Sequence, residues 1–288
     1  MTLTESQLRE ANSYFASRNI DVPADFVADG KCHPLDFAKT KFIWGSPDVP
    51  LLGALDLCAA TGIQHWEPEY ARRLTGGEKW RWDLQRSILS NEFGKLRRDK
   101  AEACRDGAST IWNSAKPLDL PADPSLRQIG DQIVMQVADC AGRLHGLAFA
   151  EGEKPLRFLA GTIWSGHFHL LGPVSGPRPI AVCIDLPSAL VIRNLTGWAT
   201  AVAFVPENLM GAALALRGHW GAPVAICVGR DSESLAYAAD RAAASVFGRV
   251  LKPPRGDSRR TWSEYASAVG LQRAGHELQC GARGFGPV

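Results

Sequence analysis

Residues 179–231 read PIAVCIDLPSALVIRNLTGWATAVAFVPENLMGAALALRGHWGAPVAICVGRD, and they carry the clearest structural pattern in the chain. It contains three short runs that are almost entirely apolar, Ile180–Ile184, Ala199–Phe204 and Pro223–Val228. Runs without polar alternation are typical of strands that are covered on both faces. Two segments with apolar residues at helical spacing, 188–195 and 209–217, separate these runs. The alternation predicts a parallel sheet with right-handed helical crossovers.

Polar residues follow each of these predicted strands. Ligands of open parallel sheets bind at the carboxyl ends of the strands. The candidate residues are therefore Asp185 after the first strand, Glu207 and Asn208 after the second, and Arg230, Asp231 and Glu233 after the third. Asn208 also has the position of an N-cap for the second crossover helix, where a side-chain oxygen accepts a hydrogen bond from the first turn.

The composition excludes several classes of protein. A chain of 288 residues with 45% hydrophobic residues can bury a large core in one or two domains. Its formal net charge of +2 does not by itself indicate a nucleic-acid-binding protein. The seven cysteines include no CxxC pair, so neither a zinc ribbon nor a disulfide framework is expected. Because the sequence has neither a secretory signal nor a membrane-spanning run, we expect a cytoplasmic protein without a membrane partner.

The rest of the chain is predicted to form two regions. Residues 4–19 have the pattern of an amphipathic helix with Thr4 as its N-cap, and 84–115 predicts one long helix. The segment Lys116–Pro124 contains three prolines and predicts a linker. We therefore expect an N-terminal α+β region over residues 1–120 and a second domain over residues 125–288.

The second domain is predicted to begin with an antiparallel meander, so the fold class is α/β, with a parallel sheet flanked by helices after that meander. Turn-forming residues separate the meander strands, and a further strand and two helices complete the domain. The predicted strands are 129–139, 143–150, 156–159 and 167–171, and the predicted helices are 235–247 and a last helix, 261–271, capped by Thr261.

Two side-chain patterns allow both a structural and a functional interpretation. Trp80 and Trp82 alternate with basic residues, which suits stacking of unpaired bases, but alternation at period two favours a strand with both rings in the core. His167 and His169 would share one face of a strand, and a metal site there needs a further ligand, either His145 or Cys183. Strand histidines that make ordinary hydrogen bonds are the favoured interpretation.

Several segments, taken in their order and spacing, resemble the topoisomerase–primase (Toprim) domain in primases of plasmids, phages and integrative elements. They are LRFLAGTIWSGHFHLLGP (156–173), CIDLPSALVIRNLTG (183–197), AFVPENL (203–209), GRD (229–231) and AAASVFGRVLKPP (242–254), with DGKCHPL (29–35) and IWNSAKP (111–117) upstream. The resemblance covers nearly the whole chain. It implies a Toprim-like sheet and a primase-like, nucleic-acid-associated protein of a mobile element with a role in DNA replication.

The resemblance also implies a magnesium site, and here the chain departs from the family. The family has a glutamate at the end of the first strand and an Asp-x-Asp at the end of the third, which together hold Mg²⁺. The corresponding positions are Ile184, Gly229 and Asp231, with Arg230 between the last two. Mg²⁺ needs oxygen ligands, which Ile184 and Gly229 lack. Of the three family carboxylates only Asp231 is present. Asp185 can add a second carboxylate only if the first strand ends before it. We expect a degenerate metal site and an impaired catalyst.

Two other interpretations stay open. If the register differs by one residue, Asp185, Asp231 and Glu233 form a three-carboxylate cluster, and the protein is an active DNA primase that uses Mg²⁺. The third interpretation is a non-catalytic structural or regulatory partner protein. The sequence has no P-loop, so ATP-driven helicase activity is not expected.

Arg230 supports a more specific hypothesis about phosphate binding. It precedes a predicted helix, where a guanidinium group and free amides suit a phosphate. We hypothesise that Arg230 replaces the positive charge of the missing metal and holds a nucleic-acid phosphate. The alternative is a solvated surface arginine.

Further basic residues at the end of the sheet predict contacts with DNA. The loop after the last predicted strand contains Lys252, Arg255, Arg259 and Arg260, with only Asp257 opposing them. It forms either a phosphate track or a solvated loop. The resemblance implies an additional nucleic-acid contact at Arg157. It also implies single-stranded or template DNA as a partner, and a replication helicase or another replication protein.

Overall fold

A computed structural model gives the fold of the protein and describes residues 3–18, 20–23, 26–35, 41–56, 63–118, 125–152, 154–230, 232–254 and 261–283. The helices are α1 (Glu5–Ala16), α2 (Gly76–Ser114), α3 (Leu186–Thr196), α4 (Leu209–Trp220), α5 (Glu233–Ser245), α6 (Trp262–Val269) and α7 (Leu271–Ala282), with short 3-10 helices at Glu69–Arg73 and Pro206–Asn208. The strands are β1 (Cys32–Pro34), β2 (Lys41–Gly45), β3 (Leu52–Asp56), β4 (Gln64–Trp66), β5 (Lys116–Pro117), β6 (Arg127–Ile129), β7 (Gln132–Ala138), β8 (Leu144–Ala150), β9 (Arg157–Phe158), β10 (His169–Leu171), β11 (Ile180–Cys183), β12 (Thr200–Val202), β13 (Val224–Cys227) and β14 (Arg249–Leu251).

The chain forms two compact units. The N-terminal unit contains Met1–Cys104 and Ala160–Thr162, and the C-terminal unit contains Arg105–Leu159 and Ile163–Val288. The division between the units falls within α2. The domain boundary at residues 120–125 stays a prediction from the sequence. Within the described ranges, no helix combines the length and the apolar character that crossing a membrane requires.

The N-terminal unit is built on an antiparallel sheet in the order β1-β2-β3-β4. Thr4 caps α1 as predicted, because its hydroxyl accepts the Gln7 amide hydrogen bond at 3.3 Å and the Gln7 side chain accepts the Thr4 amide at 3.0 Å. The buried side of α1, which includes Phe15, packs against the sheet near Trp66. Gly53 of β3 has no side chain, so Leu89 of α2 can approach the strand closely.

The C-terminal unit contains the predicted meander, an antiparallel sheet in the order β5-β6-β7-β8-β9. The segment 129–139 is not a single strand, because Gly130 adopts a φ of +57° and turns the chain between β6 and β7. The predicted linker is also wrong at its start, where Lys116 and Pro117 pair with β6. A proline is tolerated there because β5 lies at the edge of the sheet.

The second sheet of this unit confirms the α/β prediction for residues 179–231. Its order is β10-β12-β11-β13-β14, in which β10 runs antiparallel to β12 and the other neighbours are parallel. All residues of β11, β12 and β13 are buried. Alternate residues of β11 belong to two cores: Ala181 and Cys183 pack with α3, α6 and α7, whereas Ile180 and Val182 pack with α4 and α5. The sheet is therefore covered on both faces, which explains its continuous apolar strands.

Two predictions about helices are wrong. Helix α2 starts at Gly76, so Trp80 and Trp82 lie on a helix and not on a strand. Residues two apart on a helix point in different directions, and accordingly Trp82 is buried while Trp80 is 67% exposed. Thr261 caps α6 as predicted, but α6 is not the last helix, because Gly270 (φ +85°) ends it and α7 follows.

Candidate functional site

The end of β11 has a carboxylate that is already bonded to the backbone. The strand ends at Cys183, so the chain has left the strand when it reaches Asp185. Asp185 is the N-cap of α3, and its Oδ1 accepts the Ser188 amide hydrogen bond at 2.7 Å. Ile184, where the resembling family has a glutamate, has no side-chain oxygen. The acidic group at this strand end therefore stabilises a helix terminus.

Asp185 is also close to the start of α6. The Ser263 amide donates a hydrogen bond to the Ser188 hydroxyl at 3.4 Å, and Glu264 accepts the Thr261 amide through Oε2 at 3.0 Å. Burial raises the pKa of Asp185 and the negative charge of Glu264 adds to this effect, although the hydrogen bonds with Ser188 act in the opposite direction. The Asp185 carboxylate is therefore desolvated and repelled by a second carboxylate.

The end of β13 has a cation instead. Arg230 follows this strand and is half-buried, and its Nε donates a hydrogen bond to the Pro253 carbonyl oxygen at 2.7 Å. Its two terminal nitrogens have no hydrogen-bond partner among the described residues. Glu233 is the first residue of α5 and is exposed. Asp231 lies outside the described residues.

A cavity of about 430 Å³ lies beside Arg230, where β14 forms the edge of the sheet. Its lining includes Arg230, Lys252, Asp240, Glu277 and Trp262. The Nζ of Lys252 lies 4.0 Å from Oδ1 of Asp240, so these two charges partly balance each other. Arg230 therefore contributes a cationic group to this cavity whose outer donors can still take a ligand.

The end of β12 is fixed by a buried asparagine. Phe204 has a φ of +71°, which is unusual for a residue other than glycine. The Asn208 side chain is 1% exposed; it donates to the carbonyl oxygens of His167 and Ala203 at 2.7 and 3.0 Å and accepts the Gly166 amide at 2.7 Å. Asn208 does lie at the N-cap position of α4 as predicted, but its side chain makes no capping hydrogen bond, because these three bonds occupy it.

The described residues do not fit a magnesium site. In the described part of the chain, no three His, Cys, Asp or Glu side chains form a group that could hold a metal ion. Asp185 already accepts a backbone hydrogen bond, and Mg²⁺ requires several oxygen ligands in near-octahedral array. The cluster of Asp185, Asp231 and Glu233 includes Asp231, which is not described, and stays a prediction.

His167 and His169 do not share one face of a strand. His169 is buried with its Nε2 3.1 Å from the Ser125 hydroxyl, whereas His167 precedes β10 and stacks on His145 with ring centroids 3.8 Å apart. Burial lowers the pKa of His167, and the neighbouring His145 lowers it further. His145 and His167 therefore form an aromatic stack, and no third metal ligand joins them among the described residues.

The remaining predicted DNA contacts lie in different places. Arg157 lies on β9 and is exposed, with its guanidinium carbon 6.0 Å from the centroid of the Phe149 ring. It belongs to the meander sheet, not to the sheet that positions Arg230 and Lys252. Arg255, Arg259 and Arg260 lie outside the described residues.

Two features of this edge were not predicted. The turn at Phe204 has no sequence signal, because positive φ values are normally expected at glycine. A pocket of about 340 Å³ between α4 and α5 includes Tyr237 and Arg241 in its lining. Their spacing of four residues on a predicted helix is a signal that could have identified this pair.

No protein-family model matches the chain, and a search of the curated proteins finds no match. Solved structures of primases are similar to it. The primase fragment of the bacteriophage T7 primase-helicase protein aligns over 54% of this chain and 66% of that chain, with 12% identity and a TM-score of 0.40. A DNA primase domain from Pseudomonas aeruginosa aligns over 59% and 58%, with 15% identity and a TM-score of 0.36. The DnaG primase catalytic domain bound to ssDNA aligns over 65% and 80%, with 11% identity and a TM-score of 0.43. The chain thus spans less than two thirds of the first two structures.

Proposed function

We propose that the protein is a primase-like, nucleic-acid-associated protein of a mobile element, which binds DNA phosphates and does not synthesise primers efficiently. The observation that carries this proposal is Arg230, a half-buried arginine at the carboxyl end of β13 with two terminal nitrogens that the described residues leave unpaired. The resembling primases have acidic residues on either side of this position. A replication protein such as a helicase is the partner that the resemblance implies.

The geometry of Arg230 suits a phosphate. A guanidinium group offers donors in a planar fork, which matches two oxygens of a phosphate. The hydrogen bond from Nε to the Pro253 carbonyl fixes the plane of the group and leaves the outer donors for the ligand. Lys252 lines the same cavity and adds positive charge, while Asp240 and Glu277 limit how much anionic charge the cavity can take. Binding through such contacts depends strongly on salt.

We propose the loss of efficient primer synthesis because too few side-chain oxygens are available to bind a metal ion. Ile184 and Gly229 have no side-chain oxygen, and the Asp185 carboxylate accepts a backbone hydrogen bond as the cap of α3. A divalent cation would also meet the guanidinium group of Arg230 at this edge. These observations support a ligand that is itself anionic and is held without a metal.

One observation favours a second candidate function, an active primase with a metal held by Asp185, Asp231 and Glu233. Asp185 lies beyond the end of β11, and its pKa is raised mainly by burial and to a smaller extent by the negative charge of Glu264. A bound Mg²⁺ would supply positive charge that relieves this repulsion. Asp185, Asp231 and Glu233 would then bind the ion, and Arg230 would bind phosphate beside it.

A primer-synthesis assay and a band-shift assay separate these functions. The first supplies ribonucleotides and a single-stranded template with Mg²⁺ or Mn²⁺, and the second supplies single-stranded DNA at low and high salt. The proposal predicts a salt-sensitive band shift without primer synthesis. Ribonucleotide polymerisation that is lost in Asp231→Ala would instead establish the active primase. If no band shift occurs at low salt, the remaining interpretation is a non-catalytic structural or regulatory partner protein.

A further inference from the structure

A pocket lies between α4 and α5, separate from the cavity beside Arg230. It has a volume of about 340 Å³, and its lining includes Pro206, Glu207, Met210, Ser234, Tyr237 and Arg241. The first three residues come from the segment that follows β12, and the last three come from the segment that follows β13. The pocket is therefore built on the two strand ends beside which ligands of parallel sheets bind.

Tyr237 lies outside the buried face of α5. The buried face of α5 consists of Leu235, Ala239, Ala242 and Ala243, whereas Tyr237 is 66% exposed. Met210, on the opposite wall, is 37% exposed. An aromatic ring exposed beside other apolar side chains at a concave site is a feature of ligand-binding surfaces.

The polar groups around the ring indicate the chemistry of the ligand. The guanidinium carbon of Arg241 lies 5.7 Å from the centroid of the Tyr237 ring. An aromatic face with a cation one helical turn away matches a nucleotide, whose base stacks on the ring while its phosphate meets the cation. Glu207 and Ser234 provide hydrogen-bonding groups for the edge of a base.

We propose that this pocket binds one unpaired base of a single-stranded nucleic acid. The inference rests on the proposed function and adds a base subsite to it. A volume of about 340 Å³ lies at the small end of the range for ligand pockets and suits a single planar group better than the apolar face of a partner helix. Because Glu207 and Arg241 have opposite charges, the pocket also shows no electrostatic preference for an acidic or a basic partner helix.

The experiment measures binding of a single-stranded oligonucleotide over a range of salt concentrations by fluorescence anisotropy. Tyr237→Leu removes the ring and Tyr237→Phe keeps it. We expect about 5- to 10-fold weaker binding for Tyr237→Leu, near the lower end of the effect of losing one stacked base, and little change for Tyr237→Phe. The slope of affinity against salt stays unchanged in both variants, because no phosphate contact is lost. Tyr70→Leu is the matched control, since Tyr70 is also exposed, at 51%, and belongs to the N-terminal unit.

An abasic oligonucleotide of the same length provides the second arm. The inference predicts that the wild-type protein binds it as weakly as Tyr237→Leu binds the normal oligonucleotide, and that Tyr237→Leu does not distinguish the two. Equal binding by wild type and Tyr237→Leu overturns the base subsite and assigns the pocket to another occupant, such as a protein. Failure of the phosphate site has a different signature: Arg230→Gln then leaves affinity and salt slope unaltered while Tyr237→Leu still weakens binding. If the wild-type protein binds neither oligonucleotide, both proposals are wrong.

Discussion

The carboxyl edge of the second sheet has two halves, which differ in how far their polar side chains are hydrogen-bonded within the protein. In the closed half, at the ends of β11 and β12, Asp185 and Asn208 are hydrogen-bonded to the protein's own backbone. In the open half, at the ends of β13 and β14, Arg230 is fixed through one nitrogen and keeps two others free of described partners. A polar residue at a strand end therefore indicates a ligand only if its hydrogen-bonding groups are not already used to stabilise the fold.

The two hydrogen-bonded side chains of the closed half, Asp185 and Asn208, should therefore matter for the stability of the fold and not for binding. Asn208→Ala removes three hydrogen bonds and leaves the Gly166 amide and two carbonyl groups buried without this partner. We expect the free energy of unfolding to fall by about 2–4 kcal/mol. Chemical denaturation followed by circular dichroism measures this loss.

Asn194→Ala is the matched control for Asn208→Ala, because Asn194 lies exposed on α3. It should change the free energy of unfolding by less than about 0.5 kcal/mol. A loss for Asn208→Ala as small as that of the control would show that the end of β12 is not fixed by this side chain, and the comparison between the two halves would fail.

In the open half, replacing Arg230 should change DNA binding more than it changes the stability of the fold. Arg230→Gln should weaken binding of single-stranded DNA at low salt and reduce the slope of log affinity against log salt by about 0.7, the effect of one phosphate contact. Arg217→Gln is the control, because Arg217 donates to the Gly221 carbonyl at the other end of α4. Anisotropy titrations at several salt concentrations measure both slopes. Equal slopes for wild type and Arg230→Gln would show that Arg230 does not bind a phosphate.

The smallest effect is expected at Asp185, where the charge can be separated from the cap. Asp185→Ala removes the cap and should lower the free energy of unfolding by about 1 kcal/mol, whereas Asn is as good a cap as Asp. Burial raises the folded-state pKa of Asp185 above its ordinary value of 3.8, so the folded protein holds this proton more tightly than the unfolded chain does. Ionisation of Asp185 therefore lowers stability as pH rises from 3.8 through the raised pKa.

Asp185→Asn should accordingly be no less stable than wild type near neutral pH, and its advantage should disappear toward pH 3.8. Urea denaturation at a series of pH values measures this difference. If Asp185→Asn instead costs as much as Asp185→Ala, the charge itself is needed, and the carboxylate has a role other than capping α3.

The sequence was informative where composition and periodicity determine structure. The continuous apolar runs of β11, β12 and β13 predicted a sheet buried on both faces, and the caps Thr4 and Thr261 were identified from residue type alone. Period-two alternation at Trp80 and Trp82 led to a wrong strand, because a surface helix can show the same spacing by chance. The break between α6 and α7 was not predicted although Gly270 lies there, because the presence of a glycine does not by itself show that its φ is positive.

The site was harder to predict because its properties depend on contacts between distant segments. Asn208 has the sequence position of a cap, and only the loop at Gly166 and His167 shows that its side chain is used elsewhere. The hydrogen bond between Arg230 and Pro253 joins residues 23 positions apart in the chain. The departures from the resembling family, Ile184 and Gly229, were visible at once because they are changes of residue type.

We propose that the carboxyl edge of the second sheet holds phosphate through the fixed guanidinium group of Arg230 and not through a metal. The most direct test is binding of single-stranded DNA in EDTA and in MgCl₂ at matched ionic strength. We expect the two affinities of the wild-type protein to be equal within about twofold, and Arg230→Gln to bind more weakly than wild type in both conditions. Binding that is lost in EDTA, restored by Mg²⁺, and abolished in Asp185→Asn would contradict it.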